Sequence, residues 1–336
     1  MLLVTGGLGY IGSHTIVELL ADNYPVVAYD NLSNSSKKVL DRIEKLSNKK
    51  IIFIEGDIRD GEKLESLFST YQFKGVIHFA GLKSVSESVN RPLKYYDNNV
   101  SGTINLLNKM DKFNVRTFIF SSSATVYGDL STSPLKEDMP TGVPTNAYGA
   151  SKLAVENILN DVCSADSKWS IARLRYFNPV GAHPSGEIGE QPSGVPANLM
   201  PFITQAAIGE RKRLKVFGGD YPTIDGTGVR DYIHVVDLAK GHVSALKKCE
   251  ESRGMFTVNL GTGAGYSVLQ MIHTFESVNG VTVPYDIVDR RQGDIATCFA
   301  NTDLAKVLLK WRATKNLEDM CRDSWNWQVR VSKMEE

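Results

Sequence analysis

The chain has 336 residues, 42% of them hydrophobic and 23% charged, with 38 basic side chains balancing 38 acidic ones. That composition excludes a disordered chain, the length accommodates one large or two intimate domains, and the zero net charge leaves no general electrostatic pull toward nucleic acid or an anionic membrane. No apolar run reaches the roughly 18 residues of a membrane span, and Cys163, Cys249, Cys298 and Cys321 lie far apart without a Cys-x-x-Cys pair, as in a cytoplasmic protein with reduced thiols.

From the N-terminus, short β-rich apolar runs alternate with longer helical stretches, with no room for a signal peptide before the first. This is the sequence form of an α/β protein with a Rossmann-type, doubly wound parallel sheet. Strands are expected at Met1–Thr5, Val26–Asp30, Ile51–Glu55, Val76–Phe79, Thr117–Ser121 and Ser170–Arg175. Between the first two, Ile11, Ile16, Leu19 and Leu20 give a helix its apolar face. The strand ends carry small or polar residues (Gly6-Gly7, Asn31, Gly56-Asp57, Ala80-Gly81, Ser122-Ser123). Ligands of open parallel sheets bind beyond such ends, so a long crevice is expected.

The first strand runs into Gly6-Gly-Leu-Gly-Tyr-Ile-Gly12, which satisfies G-x-G-x-x-G in the strand–helix context that gives the pattern meaning. Gly6, Gly9 and Gly12 let the backbone approach a pyrophosphate at the helix N-terminus. Asp30 ends the second strand, where a carboxylate accepts a ribose 2′-hydroxyl and repels a 2′-phosphate, so NAD is expected rather than NADP. Asp57, after the third strand, is within reach of the adenine end. The Asn-x-Ser sequons at Asn31, Asn34 and Asn99 read as chance occurrences.

Farther along, Ser121-Ser-Ser-Ala-Thr125 offers hydroxyls to orient a substrate alcohol. Tyr148 and Lys152 follow the turn residue Asn146 as a Tyr-x-x-x-Lys pair, which helical spacing puts on one face. A free phenol titrates about three units above working pH, equivalent to roughly 4 kcal/mol. A lysine ammonium nearby, with the positive nicotinamide of NAD, favours the phenolate. Tyr148 is therefore a candidate base, and Lys152 is also able to hold the nicotinamide ribose.

After about Asn178 the texture changes. Glycines, prolines and polar residues over Pro179–Pro201 indicate an excursion from the sheet. Helices are expected over Phe202–Gly209 and Tyr232–Leu246, and a returning strand over Phe256–Leu260. The expected division is a nucleotide-binding domain over residues 1–178, with segments around 228–262 returning to it, and a smaller substrate-binding lobe over 179–336. Taken singly, Arg230, Arg291 and Phe217 read more readily as solvated or core residues, although two arginines suit a diphosphate through charge-assisted hydrogen bonds and a phenylalanine suits a flat base. The six histidines have no ligand spacing, so no metal is expected.

Together these residues resemble the extended short-chain dehydrogenase/reductase family, and more closely its sugar-nucleotide 4-epimerase branch. The segments that carry the resemblance are Val4–His14, His78–Lys83, Tyr95–Asn99, Phe118–Gly128, Leu174–Pro184 and Gly228–His234, within a likeness running from Met1 to about Gln328. It implies interconversion of UDP-galactose and UDP-glucose with a tightly held NAD that returns to its starting state each cycle. Tyr148 would take the proton from the sugar 4-hydroxyl as hydride leaves C4, the 4-keto sugar would turn over, and hydride would return to the other face. Ser123 would hydrogen-bond the reacting oxygen, and Lys152 would position the cofactor.

By the same resemblance, Gly6, Gly9, Tyr10, Ile11, Gly12, Asp30, Asn31, Leu32, Ser33, Asn34, Ser35, Asp57 and Ile58 surround NAD, with Phe79, Ala80, Gly81, Leu82, Lys83, Asn98, Ser123, Tyr148, Lys152, Tyr176 and Phe177. The UDP-sugar would meet Lys83, Ser123, Thr125, Tyr148, Asn178, Asn198, Phe217, Arg230, Arg291 and Asp294. Cys298 stands where glucose specialists carry tyrosine, which implies room for the acetamido group of UDP-N-acetylhexosamines. A homodimer is implied as well. Ala124 and Thr125 stand where related dehydratases and decarboxylases place carboxylates, which argues against both activities. The presence of Tyr148, Lys152 and Ser123 together argues against a protein that binds NAD without chemistry.

Overall fold

Strands buried along their whole length need cover on both faces, and the connections between them supply it. The computed structural model describes residues 1–128, 133–192, 194, 196–291 and 294–335. Leu2–Thr5 (β1), Val26–Asp30 (β2), Ile52–Glu55 (β3), Gly75–His78 (β4), Thr117–Ser123 (β5) and Ser170–Tyr176 (β6) run parallel. Their crossovers hold Tyr10–Ala21 (α1), Lys38–Ser47 (α2), Gly61–Thr70 (α3), Val85–Asn90 (α4), Pro92–Tyr96 (α5), Gly102–Lys112 (α6) and Ala147–Ala165 (α7).

Beyond β6 come Asn178–Val180 (β7), Leu199–Ala207 (α8), Leu214–Phe217 (β8), Val229–Arg230 (β9), Tyr232–His234 (β10) and Val235–Glu251 (α9). Gly254–Leu260 (β11) then returns to pair with β6, completing a seven-stranded sheet in the order β11-β6-β5-β4-β1-β2-β3. The C-terminal part adds Tyr266–Ser267 (β12), Val268–Asn279 (α10), Tyr285–Val288 (β13), Thr297–Cys298 (β14), Asp303–Leu309 (α11) and Leu317–Glu335 (α12).

One apolar core lies on the α1–α9 side of the sheet, around Ile16, Leu19, Leu238 and Leu246. A second lies under α3, α6 and α7, around Phe68, Leu106, Met110 and Leu159. A third belongs to the C-terminal lobe and joins Ile203, Val216, Met271, Phe275 and Met320. Each fully buried leucine or phenylalanine contributes roughly 1.5–3 kcal/mol.

Strand ends move by a residue or two from the sequence reading, and two helix starts differ for a structural reason. The helix expected from Tyr232 starts at Val235, because Tyr232–His234 pairs in parallel with β7 and the His234 side chain accepts from Val236 N at 3.1 Å, capping the helix there. The helix expected from Phe202 starts earlier, at Leu199, so the irregular excursion over 179–201 already contains β7 and the first residues of α8.

Candidate active site

The site begins where β1 ends. Gly6 has φ +65°, a left-handed conformation that side chains disfavour, and a Cβ on it would lie 2.7 Å from Ala80 N. A Cβ on Gly12 would meet Gly6 O at 2.2 Å. Helix α1 starts at Tyr10 without a side-chain cap, so its first N–H groups are left to a ligand. A close-packed glycine turn under a bare helix N-terminus fits the diphosphate of a dinucleotide.

Asp30 forms the next part of the wall. Its Oδ2 accepts Leu8 N at 3.0 Å, and its Oδ1 accepts Leu32 N at 2.9 Å and Ser35 Oγ at 2.8 Å. These bonds fix the carboxylate while leaving lone pairs for ribose hydroxyls. Asn31, Ser33, Asn34, Ser35 and Ile58 line the same end. Leu32 packs against the α1 core, and Asp57 accepts Asn31 Nδ2 at 2.8 Å and pairs with Arg59 at 2.8 Å. The guanidinium holds the Asp57 carboxyl well below the usual carboxylate range.

Residues Phe79–Lys83 follow β4 along the floor of the cleft. Asn99 clamps this loop, accepting Leu82 N at 2.8 Å and donating to Leu82 O and Ser151 Oγ, each at 3.0 Å. Asn98 donates to Asn99 Oδ1 at 3.0 Å. Both sit in a π-helical turn, Asp97–Ser101, of the kind that recurs at functional sites.

The chemistry-bearing groups meet at the end of β5. Asn146 Oδ1 accepts Gly149 N at 2.9 Å, which caps α7 and sets Tyr148 in its first turn and Lys152 in its second. Ser123 Oγ accepts Thr125 N at 3.2 Å and the Thr125 hydroxyl at 2.9 Å. Burial pushes the Tyr148 phenol up, opposed by its hydrogen bond with the Ser123 hydroxyl. Buried Lys152 donates from Nζ to Ser121 O at 2.7 Å, and burial pulls its ammonium down to about 8. Among the protein's own groups, burial is therefore the larger influence on Tyr148, and the Ser123 hydroxyl is the neighbour that opposes it.

Pairings that no motif marks hold this wall in place. Glu156, on α7, accepts Ser122 Oγ at 2.6 Å and Arg175 Nη2 at 2.7 Å, locking α7 to β5 and β6. Tyr176 Oη lies 2.6 Å from His242 Nε2, and His242 Nδ1 lies 2.8 Å from Leu238 O. Burial pulls His242 down to about 4, so Nδ1 carries the proton toward the carbonyl and Tyr176 donates to Nε2.

The opposite wall is built from segments that follow β6. Asn178, Asn198, Phe217, Arg230, Arg291, Asp294 and Cys298 all line the cleft. Arg291 stacks 4.6 Å from the Phe217 ring centre and pairs with Asp294 at 3.5 Å, so a guanidinium already covers the ring that the sequence offers to a base. Gln292 and Gly293 between them lie outside the described residues. Cys298 is opposite Arg230 in the β14–β9 pair, and burial pushes its thiol up to about 11. The cleft has a volume of about 2200 Å³, against roughly 300–1,000 Å³ for a single small-ligand site, which leaves room for two nucleotides end to end. Among the described residues, no helix is long and apolar enough to cross a membrane.

The profile of the GDP-mannose 4,6-dehydratase family matches residues 3–324. A UDP-glucose 4-epimerase of Bacillus subtilis (strain 168) is 58% identical over 327 residues, covering 97% of this chain and 96% of that one. The crystal structure of UDP-glucose 4-epimerase from Stenotrophomonas maltophila, with bound NAD and formylated UDP-arabinopyranose, superposes with a TM-score of 0.97 at 50% identity over 99% of both chains. That from Bifidobacterium longum, in complex with NAD+ and UDP, gives 0.96 at 51% identity over 98% of both.

Proposed function

Because the chain belongs to the UDP-glucose 4-epimerases, within the GDP-mannose 4,6-dehydratase family, we infer that it interconverts UDP-galactose and UDP-glucose by transient oxidation at the sugar C4, with NAD as resident cofactor. The observation that carries this reading is the meeting of Tyr148, Ser123 and Lys152 midway along a cleft that begins at a diphosphate-binding turn and ends at two arginines. Bound NAD supplies the acceptor for the C4 hydride and its donor on the return. The glycine turn and the N-terminus of α1 hold its diphosphate, Asp30 its adenosine ribose, and Lys152 and Tyr176 its nicotinamide end.

Tyr148 Oη takes the proton of the 4-hydroxyl and gives it back to the 4-keto oxygen, while Ser123 Oγ hydrogen-bonds the same oxygen. Positive charge at the inner end, from Lys152 and from the oxidised cofactor, opposes the burial that keeps Tyr148 protonated. Arg230 and Arg291 take the sugar-nucleotide diphosphate, and Asn178, Asn198, Phe217 and Asp294 take the groups on either side of it. Cys298 leaves space beside the sugar, so UDP-N-acetylglucosamine and UDP-N-acetylgalactosamine are further substrates.

The working division is a nucleotide-binding domain over 1–178, rejoined by the segments around 228–262, and a sugar-nucleotide lobe over the rest of 179–336. Four unpaired cysteines support a cytoplasmic location. Val85, Val89, Leu93, Tyr96 and Ile104 are exposed apolar side chains on α4–α6, and they support a homodimer formed through that face.

The test is to incubate purified protein with UDP-galactose and assay UDP-glucose without added NAD. Wild type should convert it, whereas Tyr148→Phe should keep its cofactor and lose about 10²-fold or more of kcat. Near-normal turnover in that variant would refute the role of Tyr148.

A further inference from the structure

Asn198 occupies the N-cap of α8, and because the third residue of that helix is Pro201, which has no N–H, the usual donor to an N-cap side chain is missing and the Asn198 amide is left for other partners. Instead Asn198 Nδ2 donates to Glu190 Oε1 at 2.7 Å. The same oxygen accepts Lys83 Nζ at 2.7 Å. The Glu190 side chain is only 11% exposed, and its backbone carbonyl accepts Trp327 Nε1 at 3.0 Å, which anchors it to α12. A carboxylate can only accept, so the Asn198 atom facing it is the amide nitrogen, and Oδ1 is directed elsewhere. Lys83 comes from the loop after β4 and Asn198 from the opposite wall, and all three residues line the cleft.

We propose that Glu190 is a positioning residue for the epimerase reaction. It holds Lys83 and Asn198 from opposite sides of the cleft, so that Asn198 Oδ1 accepts a hydroxyl or N–H of the sugar nucleotide and the Lys83 ammonium stands beside its anionic groups. The inference rests on the epimerase reading and deepens it, assigning substrate binding to a carboxylate that never touches the reacting carbon.

Glu190→Ala should raise KM for UDP-galactose about tenfold while kcat stays within about threefold and bound NAD is retained, because the lost contact acts in ground and transition state alike. Glu190→Gln keeps an oxygen that accepts from both partners, and its KM should stay within about threefold of wild type. Asn198→Ala should add less than about twofold in the Glu190→Ala background, since its orientation is already lost there. A wild-type KM in Glu190→Ala, or equal impairment in both Glu190 variants, overturns the proposal. Should Glu190→Ala fail to fold, a Glu190→Gln KM raised tenfold overturns it equally. Wild-type protein that leaves UDP-galactose unchanged overturns the epimerase reading itself.

Discussion

Tyr148 must lose a proton where burial opposes ionisation, and Lys152 must keep one where burial opposes charge. The two tendencies have a definite pH signature. Lys152 carries its charge below about pH 8 and loses it above, so its support for the phenolate fades on the alkaline side. Replacing it by methionine removes that support at every pH and shifts tyrosine ionisation further upward. Lys152→Met should therefore show kcat about 10- to 100-fold lower at pH 7 and climbing steadily to pH 9, whereas wild type levels off. Parallel kcat profiles for the two proteins would exclude this coupling. Cys298 makes a separate residue-scale prediction. Cys298 packs against the buried cluster of Tyr127, Leu135, Phe177 and Ala300 and lines the cleft, so a phenol ring there would occupy cleft volume now open. Cys298→Tyr should abolish turnover of UDP-N-acetylgalactosamine and leave that of UDP-galactose within about threefold, overpacking being costly only for the larger sugar. If wild type fails to turn over UDP-N-acetylgalactosamine at saturation, the role given to Cys298 is wrong. Tyr148, Lys152, Asp30 and the glycines are legible in the sequence because their spacing is local. Glu190, Glu156, Asn99 and His242 are not, because each works through a partner that only the fold brings near.

Among elements, α7 matters most, since its first two turns carry both the base and the lysine. Asn146 holds its N-terminus through Gly149 N, and Asn146→Ala should cost about 1 kcal/mol in urea unfolding. Because the frayed turn is the one bearing Tyr148, kcat should fall severalfold as well. An unchanged unfolding midpoint would mean the cap is dispensable. The strands of the sheet were readable from their apolar runs and terminal glycines or serines. The Tyr232–His234 strand was not, because its apolar residues continue into a helix of the same character, and only pairing with β7 separates the two. The π turn at Asp97–Ser101 breaks no sequence pattern either, although it sets Asn98 on the cleft and Asn99 against Leu82 and Ser151.

Across the whole molecule, the nucleotide-binding sheet is closed by a strand that arrives late in the chain. β11 covers the edge of β6 along Gly254–Leu260, and α9 packs on α1. The sequence showed that a strand returns near Phe256, but not that it caps the sheet, since edge position depends on strand order. Fragment 1–178 leaves the β6 edge open and strips the Ile16–Leu20 face of its partner, and it should accumulate as insoluble protein. Fragment 1–262 restores both and should give a larger soluble fraction by centrifugation. Equal solubility would show that the edge needs no cover. The same topology governs how the protein is born. On the ribosome, β6 emerges on the order of ten seconds before β11 at ordinary elongation rates. Throughout that interval the nascent chain presents an unpaired parallel edge, so its need for chaperones is set by the distance in sequence between two neighbouring strands, and the stability of the finished enzyme does not relieve it.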